Sequence, residues 1–112
     1  MAFALRITAK TKNGKEVEIE PSWWNIDQLR STHSFQEDIS DYYLDYYLDV
    51  DIRTFKDIME GQEKYRKKGV YGYKDWIEEN DHTKDELVHL VQNLLEGTTI
   101  KIWIYEWETG LD

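Results

Sequence analysis

The chain opens on strict alternation: Phe3, Leu5, Ile7 and Ala9 are apolar at every second position, and Val17 and Ile19 resume the pattern beyond Lys12-Asn13-Gly14-Lys15. A period of two places those side chains on one side of an extended strand. Asn-Gly between two such runs signals a hairpin, because both central residues of a type I′ turn need positive φ. The pattern predicts strands near 3–11 and 16–20, the second ended by Pro21, the chain's one proline.

Residues 22–33 hold Ile26 and Leu29 at helical spacing behind a cap at Ser22 or Asn25, which predicts a short helix. The stretch DYYLDYYLDV at 41–50 is ambiguous by composition. Read as a helix, it starts at Ser34, whose spacing to Glu37 matches a capping box. Read as a strand over 41–52, Tyr42, Leu44, Tyr46, Leu48, Val50 and Ile52 fall on one side, and Asp41, Tyr43, Asp45, Tyr47, Asp49 and Asp51 on the other. The four-residue repeat is even, so it stays in phase with a strand and drifts around a helix. Together with the β propensity of tyrosine, this favours the strand.

A helix is expected after Thr54, with Phe55, Ile58, Met59 and Tyr65 apolar, Asp57 in its first turn, Lys64, Arg66, Lys67 and Lys68 in its last, and Gly69 beyond. Those charges complement the helix dipole at both ends, so the basic cluster reads as helix termination. Gly61 weakens this helix without breaking it. An aromatic, turn-rich linker, VYGYKDWIEEND, leads to a second helix. Thr83 and Glu86 open it at capping-box spacing, Leu87, Val88, Leu90, Val91, Leu94 and Leu95 make it apolar, and Gly97 ends it. In the last element, Ile100, Ile102 and Ile104 alternate with Lys101, Trp103, Tyr105 and Trp107. A strand apolar on one side and aromatic on the other belongs at the centre of a sheet.

This order predicts one α+β domain over 1–112: a small two-layer sandwich of about four mostly antiparallel strands with two to three helices packed on one face. At 112 residues, with 40% hydrophobic and 33% charged residues, the chain can bury a core without staples. It has no cysteine, which removes disulfides, thiolate metal sites and a Cys nucleophile. The N-terminal residues lack signal-peptide character and no apolar run approaches a membrane span, so a soluble, cytoplasmic protein is expected.

Net charge is -9, from 14 Lys and Arg against 23 Asp and Glu, which disfavours direct contact with nucleic acid or anionic membranes. Six of the acids, Glu37, Asp38, Asp41, Asp45, Asp49 and Asp51, lie between 31 and 52, where there is no Lys or Arg. If helices cover one side of the sheet, the other side collects Asp41, Tyr43, Asp45, Tyr47, Asp49 and Asp51 from one strand and Trp103, Tyr105 and Trp107 from another. Tyr and Trp are frequent interface anchors and opposite charge steers encounter, so the expected partner is a basic protein such as a nuclease or toxin. Immunity proteins, antitoxins and inhibitors that plug cationic nuclease sites use this arrangement, an analogy of function alone. An amphipathic edge strand whose aspartates prevent aggregation explains the repeat equally well.

No catalytic residue, metal or cofactor is expected. The six glycines form no phosphate loop, and Glu86-x-x-His89 is a single copy where a carboxylate-bridged site needs two. His82, Asp81 and Glu79 are near enough in sequence to share a metal but read more simply as a polar loop before a helix, and His33 sits in a polar segment with no evident partner in the sequence. The rival readings are a carbohydrate-binding module that stacks sugars on the same rings, and a homodimer closed through the aromatic face in place of a monomer.

Overall fold

The computed structural model describes residues 2–39, 44–67 and 83–107. The strands are β1 (Ala2–Lys10), β2 (Glu16–Ile19), β3 (Gln36–Ile39), β4 (Leu44–Val50) and β5 (Ile100–Trp107). The helices are α1 (Ile26–Thr32), α2 (Ile52–Lys67) and α3 (Thr83–Gln92). The strands form one antiparallel sheet in the order β2-β1-β5-β4-β3. All three described helices pack on one face, the expected α+β two-layer arrangement, with β5 at the centre.

One cluster forms the core. Leu5, Ile7, Ala9, Ile19, Val50, Ile100, Ile102 and Ile104 project from the sheet and meet Leu29 of α1, Phe55 and Ile58 of α2, and Leu87 and Leu90 of α3. Trp23 and Trp24 join them, so these two rings sit on the helix side of the sheet and not with Trp103. Burial of this apolar surface is the main favourable term in folding.

Several local expectations change. The β1–β2 connection is not a two-residue type I′ turn: only Gly14 has positive φ, at 79°, and Asn13 does not. Thr11 N–H donates to Lys15 O and Gly14 N–H to Thr11 O, which makes a three-residue turn with one left-handed position. Lys12 N–H reaches Asn93 O at 2.8 Å and ties this turn to the end of α3.

The segment 36–39 is a strand where the Ser34–Glu37 spacing allowed a helix, and it gives the sheet its fifth member. Gln36, Glu37 and Asp38 are exposed, so β3 carries no apolar alternation to betray it. Such a short acidic edge strand discourages further edge pairing.

β4 also stops earlier than expected. Asp51 accepts a hydrogen bond from Thr54 N–H at 2.8 Å and so caps α2, which begins at Ile52 rather than after Thr54. On α2 the buried stripe runs Phe55, Ile58 and Gln62, while Tyr65 is exposed. α3 ends at Gln92, short of Gly97, which takes φ 87° in a separate turn where Thr98 N–H bonds Leu95 O. Val88 and Leu95 are exposed despite their place in the apolar set. The linker, Lys68, Gly69, Glu79, Asp81 and His82 lie outside the described residues, as does the C-terminal ETGLD.

Candidate functional site: the open sheet face

Alternation and register together decide what the helix-free face carries. Tyr47 lies opposite Trp103, and Asp49 opposite Lys101, in the β4–β5 ladder. Gln36 faces Tyr47, and Asp38 faces Asp45, in the β3–β4 ladder. On the other flank Arg6 faces Trp103, Thr8 faces Lys101 and Lys10 faces Glu16. Because β4 and β5 are neighbours, the two predicted halves of the patch form one surface.

The rings are held in place. Tyr47 and Trp103 have centroids 5.5 Å apart at 46°, and the Tyr47 hydroxyl donates to Gln36 Oε1 at 2.9 Å. Lys101 Nζ lies 4.8 Å from the Tyr47 centroid, 5.0 Å from that of Trp103 and 3.8 Å from Asp49 Oδ1. A parallel arrangement occurs one strand over. The Arg6 guanidinium lies 5.0 Å from the Tyr105 centroid, with Glu20 at 3.2 Å and Glu18 at 3.8 Å. The Tyr105 hydroxyl donates to Glu20 Oε1 at 3.4 Å. Burial pulls the Arg6 pKa down, but Glu20, Tyr105 and Glu18 outweigh it and hold the group above its ordinary value.

The acidic field therefore has a cationic spine, of which the sequence pattern placed Lys101 on the aromatic side but did not bring in Arg6 or Lys10. Among the described residues the face holds the carboxylates of Glu16, Glu18, Glu20, Asp38, Asp45 and Asp49 against the cations Arg6, Lys10 and Lys101. The acids line both margins, and Arg6 and Lys101 run between them. The polar complement of the first two strands, Arg6-Thr8-Lys10 and Glu16-Glu18-Glu20, was the signal that could have found them. A shallow depression of about 620 Å³ joins the two cation–ring units, lined by Arg6, Glu18, Asp49, Lys101 and Trp103 among others.

Of the expected partner-contacting residues, Asp45, Tyr47, Asp49, Trp103 and Tyr105 share this face. Asp51 serves as the α2 cap. Asp41 and Tyr43 lie outside the described residues, and of Trp107 only its backbone place in β5 is described.

Elsewhere, Glu86 and His89 are exposed and line a groove of about 330 Å³ between α3 and the β1–β2 hairpin. Among the described residues no three His, Cys, Asp or Glu side chains cluster closely enough to hold a metal ion. The His33 ring contacts Thr32 Oγ1 at 2.9 Å, a local interaction at the end of α1. No described helix is long and apolar enough to cross a membrane. No protein-family model matches the chain, and neither a curated protein nor a solved structure does.

Proposed function

We propose that this is a non-enzymatic binding domain of the immunity-protein, antitoxin or inhibitor type, whose open sheet face covers a basic protein surface such as a nuclease active site. The observation that carries the reading is the pairing of Tyr47 with Trp103, which fuses aromatic anchors and acidic margins into one surface. Rigid rings supply desolvated contact at low entropy cost, and the margins steer a cationic partner. The net charge of -9 acts in the same direction over longer range. On this reading the protein works in the cytoplasm, in keeping with a chain that uses no cysteine.

The test is kinetic. In a complex with the partner, Asp45→Lys and Asp49→Lys slow association and flatten its salt dependence, while Tyr47→Ala and Trp103→Ala speed dissociation. A complex indifferent to all four substitutions excludes this face as the contact.

A second reading, a carbohydrate-binding module, is favoured by the depression in which Trp103 borders Asp49, Glu18 and Arg6. Glycan binding that persists at high salt and is lost in Trp103→Ala selects it over the first.

A further inference from the structure

We infer that the Tyr47–Trp103 ring pair, with Asp49 at its rim, is the seat for one guanidinium group of the partner, and that Lys101 is a built-in competitor for that seat. The inference rests on the reading above, that a basic partner covers this face, and it names the chemistry at one point of the contact.

The seat already holds a cation. The Lys101 ammonium lies within 5.0 Å of both ring centroids, inside the roughly 6 Å over which the negative ring face attracts a cation. Asp49 at 3.8 Å adds the carboxylate. The receptor is fixed and its occupant is not. Trp103 stands on the central strand, and the Tyr47 hydroxyl is tied to Gln36. Lys101 reaches the rings on a flexible four-carbon stem, and its side chain is 37% exposed.

Displacing Lys101 sets a threshold. A lone partner lysine exchanges one ammonium for another and gains nothing at the rings. A guanidinium is planar, stacks on ring faces and is more weakly hydrated than an ammonium, so it gains from the exchange. The released Lys101 loses both ring contacts and Asp49, a cost that a partner recovers by pairing further cations of its own with the carboxylates of the acidic margins. The seat therefore selects arginine within a clustered basic surface and rejects isolated charges, a specificity device that lowers affinity for wrong partners.

The test uses the full chain and a hexa-arginine peptide, followed by NMR at the Trp103 indole N–H, which is assigned by its loss in Trp103→Phe. Lys101→Gln is compared with Lys56→Gln, which removes the same charge from an exposed position on α2. Expected are a Trp103 shift on titration, binding about three- to tenfold tighter in Lys101→Gln, and a change below about twofold in Lys56→Gln. In the wild type, the Lys101 side-chain protons should also lose their ring-current shift as peptide is added. Equal tightening in both variants, or an unchanged affinity in Lys101→Gln, overturns the role of Lys101 and leaves the basic-partner reading standing. A Trp103 signal that moves in none of the proteins overturns both.

Discussion

Gln62 shows how much one side chain can decide. It is 2% exposed and occupies a position in the apolar stripe of α2, four residues after Ile58. Its Oε1 accepts from Asn25 N–H at 2.7 Å, and its Nε2 donates to Gln28 Oε1. Asn25 in turn caps α1 by accepting from Gln28 N–H. A buried polar group costs free energy unless its partners are present, and here both ends are satisfied. Gln62→Ala strands the Asn25 N–H and should lower stability by about 1–3 kcal/mol in urea unfolding. Its neighbour Gly61 has the opposite expectation. A Cβ built there meets nothing within 4 Å, so Gly61→Ala should raise stability by roughly 0.5–1 kcal/mol through helix propensity alone. A fall in melting temperature in Gly61→Ala would show that the bare helix surface has a packing role.

Among the elements, the junction of β4 and α2 turns on Asp51. Hydrogen bonds from the Thr54 side chain and backbone hold its carboxyl below the ordinary 3.8. The sign follows from linkage: a depressed folded pKa contributes stability that is full above 3.8 and is lost as pH falls through the folded value. Asp51→Asn keeps an acceptor at the cap and removes the titration. The stability advantage of wild type over Asp51→Asn should therefore shrink as pH drops below 3.8, in unfolding curves taken across acidic pH.

Elements with an apolar side were legible in the sequence. The alternation of Leu5, Ile7 and Ala9, and of Ile100, Ile102 and Ile104, marks two of the three inner strands, β1 and β5, and the evenness of the Asp-Tyr-Tyr-Leu repeat marks the third, β4. β3 was hidden because an edge strand wet on both sides needs no alternation. The end of β4 was hidden because Asp51 continues the strand's phase while its carboxylate serves the next helix. The site was half legible. Which side chains face outward follows from period two, but that β4 lies beside β5 is a long-range pairing no local pattern encodes. The alternation places Lys101 on the aromatic side of the last strand, but Arg6 is 95 residues away along the chain and comes beside it only through the β1–β5 pairing.

For the whole molecule, the sheet divides labour between its faces. One is covered by helices over the apolar core, and the other carries rings, carboxylates and two internally paired cations. The first accounts for the fold; the second is where the proposed partner lies. The most direct measurement compares capture from the source cells' lysate by wild type and by a folded Asp45→Lys/Asp49→Lys/Trp103→Ala variant, at roughly 50 mM and 500 mM salt. The expected result is a basic protein retained by wild type at low salt, depleted at high salt and absent from the variant. A partner held equally by both proteins, or a neutral one indifferent to salt, contradicts it.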